Sequence, residues 1–85
     1  MKQISIDCSG IDTAGQLHEA FAAILNFPQW YGHNLDALYD CLTSLPEETE
    51  IILEAFPALP PFSRGFLRVL MDAAQANALL HITLL

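Results

Sequence analysis

Asp36 and Asp40 stand four residues apart in the segment NLDALYDCLTS, residues 34–44. In a helix that spacing puts both carboxylates on one face. With Leu35 set at about 0° and about 100° per residue, Leu38, Leu42 and Leu45 fall near 300°, 340° and 280°. Asp36 and Asp40 then fall near 100° and 140°, and Tyr39 near 40°. Asp40 lies almost opposite the apolar stripe, and no Lys or Arg stands on the helix. The like-charge pair costs a few tenths of a kcal/mol, eased at Asp36 by the helix N-terminus. Fixed anions of this kind can hold a cationic group. A merely solvated face is the plain alternative. Paired acids also serve glycosidases and aspartic proteases, but those need a cleft, which an exposed helix in so short a chain lacks. This argues against an enzyme.

The residues before that helix sharpen the reading. Trp30 and Tyr31 sit on a short loop, and Gly32 lets it turn tightly. A small fold has difficulty burying both rings, so one is expected to cover the core. Exposed aromatics beside unpaired carboxylates have the make-up of an interface centre. His18, His33 and His81 are scattered and, with Cys8 and Cys41, show no ligand spacing, so no metal site is expected. His33 stands apart, because it adjoins the acidic helix and histidine is the side chain that titrates near neutral pH. Cys41, near 240° on the wheel, reads as packing, and Glu47, Glu48 and Glu50 as a solvated run.

Ten acidic residues face three Lys and Arg, a formal charge of −7. Nucleic acids and anionic membranes would be repelled, so the expected partner is basic. With 53% apolar and 15% charged residues the 85-residue chain is expected to fold as one domain, residues 1–85. A chain of this size buries only about 60% of its unfolded surface, so the core must be efficient. No apolar run reaches the ~20 residues of a membrane span, and the first residues lack a signal-peptide pattern. The expected location is cytoplasmic, with both cysteines as free thiols.

The elements that must position these groups follow from periodicity. Lys2–Cys8 alternates as a strand with Ile4 and Ile6 on one face. Thr13 and Gln16 form a capping box for a helix whose buried face is Leu17, Phe21, Ile24 and Leu25, closed by Asn26. Asn34 caps a second helix over Leu35–Leu45, ended by Pro46. Glu50–Glu54 reads as a short strand covered on both faces, as in a parallel sheet. Three prolines in Ala55–Pro61 leave room for at most one helical turn. A third helix spans Phe62–Ala76, with Phe62, Phe66, Val69, Leu70 and Ala73 inward and Asn77 as a left-handed cap. Leu79–Leu85 completes a third strand. The order implies an α/β fold with three parallel strands, right-handed crossovers and helices mainly on one side.

Residues 30–44, WYGHNLDALYDCLTS, resemble the inhibitory loop and helix of the barstar family, small intracellular inhibitors of barnase-type ribonucleases. The rest agrees more loosely: an opening strand, a helix with Leu17 and His18, the Leu53–Glu54 pair, a Val-Leu helix and an Ile-Thr strand. The resemblance implies a barstar-like fold, a three-stranded parallel sheet packed with three to four helices. It also implies that the second helix and the loop before it plug a nuclease active site. Asp40 would take a phosphate position among the enzyme's basic residues, with Asp36 as its companion. Loop contacts fall on Trp30, Gly32 and Asn34, helix contacts on Leu35, Tyr39 and Thr43, and further contacts on Val69 and Asp72. The implied partner is a basic ribonuclease, extracellular-type or toxin, bound by a protein that is an antitoxin or immunity factor, monomeric when free and without cofactor. Trp30 stands where the family has tyrosine, and Tyr39 where it has tryptophan. Asp72 replaces a glutamate and Ala76 a second acid, and the link from Leu53 to Phe62 is shorter and richer in proline. These departures bear on which nuclease the surface fits. Two alternatives are an acidic adaptor for a basic partner that is not a nuclease, and a structural subunit that dimerises through its apolar residues.

Overall fold

The computed structural model describes residues 1–85. Strand β1, Lys2–Asp7, turns Ile4 and Ile6 inward and leaves Gln3, Ser5 and Asp7 exposed. Helix α1, Ala14–Ile24, starts at the expected capping box. Thr13 Oγ1 accepts from the Gln16 amide at 3.2 Å, and Gln16 Oε1 accepts from the amides of Thr13 and Asp12 at 3.2 and 2.7 Å. It ends with Asn26 in the left-handed region, φ 56°, while the Phe27 amide donates back to the Ala22 carbonyl at 2.9 Å. That wrap satisfies a free carbonyl of the last turn. Leu17, Phe21 and Leu25 are buried, but Ile24 is 41% exposed. The buried stripe also takes in His18, about 100° round from Leu17, which rotates its centre away from Ile24.

Helix α2, Leu35–Thr43, is capped by Asn34, whose Oδ1 accepts from the Ala37 amide at 2.8 Å. It stops two residues short of the expected Leu45. Ser44 donates its amide to the Cys41 carbonyl at 3.3 Å, a tightened last turn, and its hydroxyl to the Asp40 carbonyl at 2.7 Å. Strand β2, Thr49–Glu54, lies between β1 and β3, Leu80–Leu84, parallel to both. Ile4 pairs with Ile51 and Ile51 with Ile82, so one face of all three strands feeds a single core. The other face of β2, expected to be covered, is only partly so. Glu50 and Ile52 are half-buried and Glu54 is exposed. The cover there is polar: Glu50 accepts from Gln3 Nε2 at 2.9 Å and from Thr83 Oγ1 at 2.6 Å. Those bonds, Thr83 first, hold its carboxyl below the usual range.

Residues 55–61 contain one 3₁₀ turn, Phe56–Ala58, entered through Ala55 at φ 57°. Helix α3, Ser63–Ala76, buries Phe66, Leu70 and Ala73 and packs along α2. Gly65 makes that approach close, because a Cβ there would stand 3.1 Å from Leu35 Cδ1. Asn77 is not a left-handed cap: its φ is −123°. Its side chain instead donates to the carbonyls of Leu42 and Leu45, at 3.1 and 3.4 Å, and accepts from the Leu79 amide at 3.0 Å. A tertiary demand, the open carbonyls at the end of α2, outweighs the local preference of asparagine.

Candidate functional site

Two elements build the site. The first is the loop from Phe27 to His33, and the second is the outer face of α2. Trp30 and Tyr31 take opposite roles, as expected of one of them: Tyr31 is 4% exposed and Trp30 72%. Tyr31 anchors the loop. Its hydroxyl is hydrogen-bonded to Nδ1 of the buried His18 at 2.5 Å, and its ring packs on Phe27. Burial, reinforced by Cys41 nearby, pushes the Tyr31 hydroxyl up to about 12. Burial, and then the charge of neighbouring His33, push His18 below the usual imidazole range. Both shifts favour a neutral pair in which the hydroxyl donates to an unprotonated Nδ1. With Tyr31 fixed from behind, the indole of the next residue outward is presented to solvent.

The turn into α2 works differently from its sequence reading. Gly32 does not have positive φ; His33 does, at 52°. Glycine at 32 leaves room for the capping side chain: a Cβ there would lie 2.8 Å from Asn34 Nδ2, which would have to shift. That amide donates to the Gly32 carbonyl at 3.2 Å while the Asn34 oxygen caps α2. His33 Nδ1 lies 3.1 Å from the Tyr31 carbonyl, to which it can only donate.

On α2, Asp36, Tyr39 and Asp40 are exposed, while Leu35 and Thr43 are half-buried. Lys2 pairs with Glu47 at 3.7 Å and His81 Nε2 lies 3.0 Å from Glu48, while Asp36 and Asp40 have no cationic partner. Arg64 and Arg68, the remaining cations, lie on α3 and pair with neither. The Thr43 hydroxyl is turned back to the Tyr39 and Asp40 carbonyls, at 2.8 and 3.2 Å. Val69, half-buried, and Asp72, exposed, lie on α3, the helix packed along α2. The ten residues singled out in the sequence thus occupy one loop and two adjoining helices.

Spacing did not reveal a cavity of about 260 Å³ between the loop and α2, lined by Asn26, Phe27, Pro28, Trp30, Asp40, Cys41 and Ser44. Two chain segments, residues 26–30 and 40–44, meet there, so no one-dimensional period could mark it. In sequence Asn26 reads only as the close of the first helix, and Ser44 only as part of the second helix. Cys41 at its floor is a buried free thiol. Burial, and after it the Asp40 carboxylate, raise its pKa and keep it protonated, which suits packing and not nucleophilic chemistry. Its lining combines an indole with a carboxylate, groups that can hold a planar cation. Nowhere in the chain do three or more His, Cys, Asp or Glu side chains converge with the spacing of a metal site.

Fold and surface together define a small α/β protein with a three-stranded parallel sheet and an acidic helix face edged by aromatics. The family model described as Barstar (barnase inhibitor) matches residues 1–83, and the chain belongs to that family. A Bacillus subtilis (strain 168) protein, "Putative ribonuclease inhibitor YrdF", is 46% identical over 43 residues. That match covers 51% of this chain and 47% of the relative, so the chain matches about half the length of that protein. No helix is long and apolar enough to cross a membrane.

Proposed function

We propose that this chain inhibits a ribonuclease, and is not itself an enzyme, by placing the acidic face of α2 and the Trp30 loop in a basic active site. The single observation that carries this reading is the unpaired, exposed pair Asp36 and Asp40 on a capped helix, with Trp30 and Tyr39 exposed at its edges. A ribonuclease site concentrates positive charge to hold phosphates. Carboxylates already held on a helix can stand in for those phosphates without being ordered on binding. Membership in a family of barnase inhibitors and the name of the Bacillus relative support the same reading. Within it, Asp40 is the central anion and Asp36 its companion. Trp30, Gly32, Asn34, Leu35, Tyr39 and Thr43 surround them, and Val69 and Asp72 extend the contact along α3.

The test is inhibition of barnase-type ribonucleases on a fluorogenic RNA substrate by wild type, Asp40→Ala and Glu48→Ala. Truncating one member of a buried interfacial charge pair costs about 2–5 kcal/mol, a range to which the barnase–barstar complex itself contributes. Asp40→Ala should therefore weaken inhibition at least about thirtyfold, while Glu48→Ala, outside α2 and engaged by His81, should leave it unchanged. Equal effects of the two substitutions would overturn the assignment. Binding of basic proteins generally, without inhibition of any nuclease, would favour an acidic adaptor instead.

A further inference from the structure

His33 lies between two residues of the proposed contact surface, Gly32 and Asn34, and its side chain is exposed. It also touches the buried side of the loop. Its ring centroid is 5.1 Å from Tyr31 and 6.2 Å from His18, and its Nδ1 donates to the Tyr31 carbonyl at 3.1 Å. It lines a groove of about 330 Å³ together with Glu19, Gln29 and Tyr31. The charged or titratable groups around it are few. Helix α1 contributes His18 and Glu19, the loop contributes Tyr31, α2 contributes Asp36 in its first turn, and α3 brings the uncharged ring of Phe66 against His18. No carboxylate is hydrogen-bonded to either imidazole.

We infer that His33 makes recognition of a basic partner acid-sensitive, so that binding weakens as pH falls through the histidine range. This rests on the reading of α2 and its loop as the surface that meets a cationic partner. With Nδ1 donating to the Tyr31 carbonyl, neutral His33 offers Nε2 as an acceptor and an aromatic edge to that surface. Protonated, it places a cation in the rim that must face other cations, next to a second imidazole that the fold holds neutral. A basic partner therefore binds the neutral form better, and by linkage protons compete with the partner. A one-unit fall in the proton affinity of His33 on binding corresponds to a tenfold loss of partner affinity at the acid end.

The experiment measures Kd at constant ionic strength from pH 8 to pH 5.5, with barnase and with a deca-arginine peptide as probes, for wild type, His33→Asn and His33→Lys. Asparagine is uncharged and tolerates left-handed backbone, so the turn into α2 is kept. The quantity read is the ratio of wild-type to His33→Asn Kd, which cancels titration of groups on the probe. The ratio should rise about three- to tenfold from pH 8 to pH 5.5. His33→Lys, a permanent cation, should bind weakly already at pH 8, with a flatter pH profile than wild type. A ratio that does not change with pH overturns the inference while leaving the plug reading intact if barnase is still bound. If neither probe binds wild type at any pH, the plug reading fails and this inference falls with it.

Discussion

Trp30 and Tyr31 are adjacent aromatics with opposite surroundings, and the difference comes from one buried acceptor. Tyr31 can enter the core because His18 Nδ1 meets its hydroxyl. A buried hydroxyl without that partner would be costly. Replacing Tyr31 by Phe leaves His18 Nδ1 without its partner and should cost about 1–3 kcal/mol of stability at pH 8 in urea unfolding. The pair also sets a pH dependence with a definite sign. His18 is held below its ordinary value of 6.5 in the folded chain, so the unfolded chain binds more protons in that range. Its contribution is fully present above pH 6.5 and is lost as pH falls from there through the lowered folded value. His18→Gln should therefore lose less stability than wild type between pH 7.5 and pH 5.5; parallel curves would show that another group controls that window. Asp7 and Glu50, whose carboxyls are held low by hydrogen bonds, act only in more acidic solution.

Helix α2 carries a conflict between its own stability and its surface. Asp36 and Asp40 repel one another, and the helix has no cation to relieve them. Tight hydrogen bonding at its ends compensates: Asn34 caps it, and the Thr43 and Ser44 hydroxyls take up carbonyls of its last turn. Asp40→Asn should therefore raise the melting temperature slightly, consistent with a few tenths of a kcal/mol of relieved repulsion. The same change should slow association with a basic nuclease, because an attracting charge is gone. Added salt should shrink both effects. Thermal unfolding and stopped-flow association at low and high ionic strength measure them. Clear destabilisation by Asp40→Asn at low salt would make Asp40 a structural acceptor and not a free docking charge.

At the scale of the molecule, the acidic face is held in place by contacts across the fold. Gly65 lets α3 approach Leu35, and Asn77 ties the end of α2 to the start of β3. Asn77→Ala removes the donor to two carbonyls and the acceptor for Leu79. It should cost about 1–3 kcal/mol by urea unfolding, and no loss would mean that water replaces the amide without penalty. Asn77 shows the limit of local reading. A left-handed cap is what asparagine prefers after a helix, but the carbonyls that claim its side chain lie 32 and 35 residues away in sequence.

The amino-acid sequence by itself determined the order of elements, the caps of α1 and α2, the parallel three-stranded sheet and the shared outer face of Asp36 and Asp40. The elements, caps and shared face follow from spacing within a few residues, where the period of a helix or strand and the hydrogen-bonding reach of Thr13, Gln16 and Asn34 leave little freedom, and the parallel sheet follows from the alternation of those elements along the chain. The fifteen residues from Trp30 to Ser44 were also enough to suggest the family. Tertiary structure alone decided which of two neighbouring aromatics faces water, that His33 and not Gly32 takes the left-handed turn, and that one face of β2 is only partly covered, with Glu50 bonded to Gln3 and Thr83. It also made the cavity beside Asp40 from residues of separate segments. These features depend on which groups from distant parts of the chain meet in space, and no periodicity along one segment encodes that meeting.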